Sequence, residues 1–285
     1  MISFAHTYWT KPTVDDRYGY KSSRQIITHL YCYALSASWI KKLGYKINLY
    51  ADSIAIQLLK DLPYDNVVEL NIPETADTRF WAQSKFYSLS EMQLGEVLID
   101  GDIFIKSQDI IDKIDLDNDV NVQSLETGHM IETDAYNRCR EYMNKIDFGK
   151  IYKPCEILPI CNSGILQINK QELKDEYIKE YFNAINVLEN LDLIKNMPYD
   201  IYPDIIQEQL LLNQLCIYRG YSLGTVFDTS EGPYLKINKD KYMHLISDKK
   251  YIMLPLVKKW LLELNPSLYE KLRPIEESIL LGQRN

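Results

Sequence analysis

Asp100 and Asp102 flank Gly101 at the end of an apolar run, Glu96-Val97-Leu98-Ile99, and a second apolar run, Ile103-Phe104-Ile105, follows at once. The first run reads as a buried strand, bounded upstream by Gly95. Side chains of extended backbone repeat every two residues, so the two carboxylates project to the same side. Gly101 has no Cβ, which lets a bulky phosphate or the turn's own backbone come close. Paired hard oxygens at a strand's carboxyl end suit a divalent cation that clamps a diphosphate. An acidic turn between two strands explains the same residues without any ligand.

The chain's 285 residues suffice for one large α/β domain or two modest ones with a substantial core. With 32 Lys+Arg against 40 Asp+Glu the formal charge is −8, which argues against a broad nucleic-acid footprint. Cys32, Cys139, Cys155, Cys161 and Cys216 are scattered without a CxxC pair, so neither a zinc knuckle nor a disulfide framework is expected. A reducing compartment fits that usage. No apolar run reaches transmembrane length and no secretory signal opens the chain, so the cytoplasm is the expected location.

The elements that must position the aspartates alternate in type. A strand is expected over 2–8, then a helix capped by Ser22 or Ser23 and ending at Gly44. Strands over 45–51 and 67–70 follow, with Asp52 placed to cap the helix between them. A helix over 80–92 precedes the Asp100 strand. This alternation implies a mainly parallel sheet covered on both faces. Ligands of such sheets sit outside the carboxyl ends of the strands, so one cleft is expected to collect His6, Asp52 and Asp100. Further on, a strand over 119–125, a helix over 132–146, a turn entering a strand at 162–169, and helices over 172–191 and 205–218 are expected. The tail, 256–281, is amphipathic and expected to break at Pro266 and Pro274. Its apolar stripe, Val257, Leu261 and Leu264, suits packing on the protein's own core, with peripheral contact to a lipid surface as the alternative.

Other chemistry-bearing residues fall at telling distances from the aspartates. Lys85 lies fifteen positions before Asp100, Asn162-Ser163-Gly164 opens a strand, Glu208-Gln209 begins a helical run ending in Leu212-Asn213, and His244 precedes Asp248-Lys249-Lys250. In this order the chain resembles the GT-A nucleotide-sugar glycosyltransferases, most closely family 8, the glycogenin and galactosyltransferase type. The likeness runs from about Ile2 to Lys250. It implies a GT-A catalytic domain over 1–252 with a helical extension over 253–285 packed on it.

The resemblance also implies roles. Asp100, Asp102 and His244 would hold Mn²⁺ or Mg²⁺, a mixed oxygen and nitrogen set that suits either. Asp100, Gly101, Lys85, Lys249, Lys250, Asn162 and Gly164 would bind the donor, with Asp52 at a neighbouring strand end. His6 and Thr7 would lie where the nucleoside base binds, and Gln209 would sit near the anomeric carbon. Asp204 and Glu208, the nearest carboxylates in sequence to that segment, are with Gln209 the expected catalytic residues. The implied reaction moves a hexose from a nucleotide-diphosphate sugar, UDP being the expected nucleotide, to a glycan or other hydroxyl, with retention. Departures stand out: Glu208 replaces the family's first Asp, Leu210 its second, and Ser247 the glycine after the histidine. Two other functions fit the same residues: a metal-dependent phosphohydrolase using Asp100 and Asp102, and a non-catalytic nucleotide-sugar binder. Taken singly, His244 reads as a core histidine, Asn162 as a turn former, and Lys85, Gln209, Lys249 and Lys250 as solvated surface.

Overall fold

The computed structural model describes residues 2–14, 22–127, 134–144, 152–153, 156, 158–190, 204–228, 239–246 and 249–282. Two compact units emerge, one of Met1–Pro73, Val97–Asp112 and Ile237–Asn285, the other of Glu74–Glu96 and Lys113–Lys236. The architecture is mixed, mainly parallel α/β with a helical C-terminal region, as the alternation of signals implies.

In the first unit, β1 (Ser3–Tyr8), β2 (Lys46–Ala51), β3 (Asn66–Glu69) and β4 (Val97–Ile99) are parallel in the order β3-β2-β1-β4. β1, β2 and β4 carry buried side chains on both faces, Phe4, Ala5, Ile47, Leu49, Val97 and Leu98 among them, because helices cover the sheet. A small antiparallel sheet pairs β5 (Ile103–Ile105) with β9 (Tyr242–His244), setting Ile103 opposite His244. The helices of this unit are α1 (Lys11–Val14), α2 (Ser22–Lys42), α3 (Ser53–Leu59), α5 (Gln108–Ile111), α9 (Lys249–Ile252), α10 (Leu254–Leu264) and α11 (Pro266–Gly282).

α2 ends where its glycine predicts. Gly44 has φ +86°, its N–H donates to Lys41 O, and the Tyr45 N–H reaches back to Ile40 O, a Schellman closure. The tail corrects one expectation. Pro266 does separate two helices, by opening α11, where its missing N–H costs nothing. Pro274, however, lies inside α11 without ending it. Leu268 and Leu272 before it, and Ile275 and Ile279 after it, pack against the same core as α2, and that packing carries the helix through. Val257 and Leu261 are fully buried in this core, so the stripe of α10 faces inward.

The second unit holds α4 (Gln83–Glu91), β6 (Val120–Glu126), α6 (Asp134–Met143), β7 (Ile160–Ile168), α7 (Gln171–Asn190), α8 (Asp204–Arg219) and β8 (Leu223–Thr225). β6 pairs antiparallel with β7 and parallel with β8. β7 corrects a second expectation, because Asn162-Ser163-Gly164 is strand rather than a turn leading into one. All nine residues of β7 are buried, and Asn162 sits opposite Ser124 of β6, beside an irregularity in the pairing between Val122 and Ser124. The ends of the helix expected over 132–146, Leu191 and Cys155 lie outside the described residues. Among the described residues no helix is long and apolar enough to cross a membrane, and Cys32, Cys139, Cys161 and Cys216 are free thiols.

Candidate functional site

The first unit assembles a carboxylate–imidazole cluster. β4 ends at Ile99, the Asp100-Gly101-Asp102 turn follows, and the chain re-enters extended backbone as β5. Pairing of β5 with β9 brings His244, more than 140 positions away, to this turn. One ligand atom from each of Asp100, Asp102 and His244 falls within 4.8 Å of the others. His244 Nε2 lies 3.5 Å from Asp102 Oδ1 and 4.0 Å from Asp100 Oδ2. Two donors on one hard cation, each ~2.0–2.6 Å from it, are separated by at most about 5 Å, so the spacing and the donor types fit a divalent ion.

Lys250, at the start of α9, completes the cluster with Nζ 3.0 Å from Asp102 Oδ2. Burial alone would raise the Asp102 carboxyl, but the Lys250 ammonium and the His244 ring outweigh it and hold that carboxyl well below the usual carboxylate range. Lys249 is exposed.

Gly101 has a local reason to be glycine. A Cβ there would lie 2.1 Å from Tyr33 Cε2 of α2, so an aromatic ring occupies the space that the missing side chain leaves. The Tyr33 hydroxyl donates to Thr7 O at 2.5 Å, which ties the turn's packing to the end of β1.

Of the strand-end residues expected beside Asp100, His6 is sealed within the first unit and Asp52 serves as a helix cap. The His6 ring is fully buried, with Nδ1 2.8 Å from Tyr64 Oη and Nε2 3.0 Å from Ser36 Oγ. Ser36 donates its own proton to Ile103 O at 2.6 Å, so it accepts from His6, which assigns the proton to Nε2. Burial lowers this imidazole to about 3, against the opposing pull of Asp102. Asp52 caps α3 through the Ala55 N–H at 2.7 Å and also accepts from the N–H and hydroxyl of Thr10.

The second unit holds the remaining residues. Lys85 of α4 is buried, not solvated, with Nζ 2.8 Å from Glu208 Oε1 on α8 and 3.4 Å from Ser163 O and Oγ on β7. The Ser163 hydroxyl makes a short bond to the same Glu208 oxygen, and Glu208 Oε2 is buried without a hydrogen-bond partner. Asp204, fully buried at the first turn of α8, accepts from the Ala82 N–H at 2.7 Å and from the Tyr181 hydroxyl at 2.7 Å. Its nearness to Gln209 in sequence suggests catalysis, yet its bonds are those of a clamp on the start of α4. Leu210 is a fully buried core residue.

Gln209 and Asn162 are joined through two residues that sequence reasoning passes over. Asn162 Nδ2 donates to Glu126 Oε1 at 2.7 Å, and the Tyr136 hydroxyl lies 3.5 Å from Glu126 Oε2 and 3.2 Å from Gln209 Oε1. Asn162 Oδ1 in turn accepts from the Gly164 N–H at 3.1 Å. Glu126 is the last residue of β6, one position beyond the expected strand. A carboxylate closing an apolar strand was the available signal. Tyr136 offers none, one of 22 tyrosines in the chain.

No curated protein matches the chain. Among solved structures it is similar to the galactosyltransferase LgtC in complex with donor and acceptor sugar analogs, at 12% identity and TM-score 0.40, covering 79% of this chain and 73% of that one. It is also similar to mouse xyloside xylosyltransferase 1, at 9% identity and TM-score 0.40, covering 79% and 85%. The glycosyltransferase GlyE of Streptococcus pneumoniae TIGR4 is matched at 12% identity and TM-score 0.38, covering 98% of this chain and 64% of that one. A sequence profile described as a family of unknown function (DUF6734) matches residues 2–275, and the chain belongs to that family.

Proposed function

We propose that this chain is a metal-dependent glycosyltransferase of the GT-A, family 8-like kind, transferring a hexose from a UDP-sugar to a hydroxyl of a glycan or other acceptor with retention. The observation that carries the reading is the convergence of Asp100, Asp102 and His244 within 4.8 Å, the set that the resemblance implies. These residues would hold Mn²⁺ or Mg²⁺, and the bound cation would supply neutralisation of the diphosphate as the glycosidic bond breaks. Lys250 and Lys249 would take phosphate oxygens. Thr7 and His6 mark the strand end assigned to the base, and Asp52 the next. In the second unit, Asn162 and Gly164 keep the donor-lining role and Gln209 the place near the anomeric carbon that the resemblance gives them, while Lys85, which the resemblance also gives to the donor, is held by Glu208. Residues 1–252 would be the catalytic part and 253–285 its helical extension.

Millimolar UDP with Mn²⁺ should raise the melting temperature by several degrees through mass action, and Asp102→Asn should abolish the rise. No shift with the intact chain would overturn the reading. A second reading, a nucleotide-sugar binder without turnover, draws on the sealed state of Asp204 and Glu208. It predicts the same thermal shift and no UDP release from any nucleotide sugar.

A further inference from the structure

Lys250 is paired with a carboxylate that a cation would need. Its ammonium is 3.0 Å from Asp102 Oδ2, while the other oxygen of that carboxylate faces His244 Nε2 at 3.5 Å. A divalent ion among Asp100, Asp102 and His244 would therefore sit a few ångströms from a fixed positive charge, or would have to displace it. Like charges at that distance repel strongly where solvent is partly excluded, and both side chains here are mostly buried, 17% and 11% exposed. Moving the ammonium instead forfeits its ion pair. Either route weakens binding of a bare cation.

A diphosphate changes the balance. It offers Lys250 a new anionic partner, and the flexible four-carbon stem of lysine lets the ammonium move without refolding its helix. The charge of Asp102 is then left to the cation alone. We infer that Lys250 is a specificity residue that makes this site select a cation already bound to a diphosphate over the free cation. The inference rests on the donor reading above and deepens it. By linkage, whatever factor UDP adds to the affinity for Mn²⁺, Mn²⁺ adds to the affinity for UDP, so one ratio measures the effect from both sides.

The test titrates Mn²⁺ alone, then with saturating UDP, into the whole chain and into Lys250→Met and Lys259→Met, reading free Mn²⁺ by electron paramagnetic resonance. Lys250→Met should bind Mn²⁺ alone at least ~10-fold more tightly than the parent, and the gain that UDP confers should shrink by a similar factor. Lys259→Met, which removes an equal charge from the exposed face of α10, should change the affinity for Mn²⁺ alone by about 2-fold or less. If Lys250→Met binds Mn²⁺ alone no better than the parent while the parent still takes Mn²⁺ with UDP, the inference falls and the donor reading stands. Equal tightening by both variants also overturns it, since net charge would then be the cause. If none of the three proteins takes Mn²⁺ at millimolar concentration even with UDP, the donor reading itself falls and the inference with it.

Discussion

Each unit pairs a lysine with a carboxylate, and the two pairs differ in what surrounds them. Lys85 and Glu208 lie 2.8 Å apart with side chains only 6% and 1% exposed, and Ser163 bonds the same carboxylate. Lys250 and Asp102 lie 3.0 Å apart with 17% and 11% exposure, beside an imidazole and a second carboxylate. The first pair is locked, because separating it would strand a charge away from water. The second has other partners within reach and some solvent to share the cost. A buried ion pair therefore reads as framework, and a pair at the margin reads as a contact that can be exchanged.

The largest expected effect would break this contrast outright. Lys85→Met should lower unfolding stability by about 3–5 kcal/mol in urea titration, since it leaves Glu208 buried and unpaired. A loss under ~1 kcal/mol would mean that the two pairs are alike. Gly101→Ala should cost about 1–3 kcal/mol by forcing a methyl into the Tyr33 ring. It sharpens the contrast by asking how rigid the turn beneath the exchangeable pair is, and a neutral result would show that Tyr33 yields freely.

The next prediction concerns pH. His6 titrates near 6.5 when unfolded and at about 3 when folded, so between those values the unfolded chain binds more protons. Its contribution is present above pH 6.5 and is lost as pH falls towards 3. Across pH 6 to 4, stability of the parent should drop more steeply than that of His6→Gln, by about 1.4 kcal/mol per pH unit. Parallel slopes in chemical denaturation would mean that His6 is not held neutral. The smallest effect belongs to Lys250→Met, whose stability change should stay within ~1 kcal/mol even as its cation affinity rises. A cost matching that of Lys85→Met would class both pairs as framework.

Much of the frame was legible because its signals are local. Gly44 closing α2, Asp52 capping α3, and the apolar run into Asp100 all act within a few residues, and the structure places them as read. The misreadings share a cause. Asn162-Ser163-Gly164 has turn-like residue types, yet antiparallel pairing with β6 makes it strand. Pro274 has the local signature of a break, yet core contacts on both sides keep α11 whole.

From the sequence came the alternating α/β architecture, the paired aspartates on one side of a turn and, through the family resemblance alone, His244 as their distant companion. The first two follow from side-chain periodicity, which a linear chain displays. Tertiary structure alone decided which carboxylates are spoken for: Asp204 by Ala82 and Tyr181, Glu208 by Lys85 and Ser163, Glu126 by Asn162. It also decided that Tyr33 fills the space at Gly101 and that Tyr136 bridges Glu126 to Gln209. Those outcomes depend on which surfaces meet across tens of residues and on how much water is left between them, quantities that no local pattern encodes.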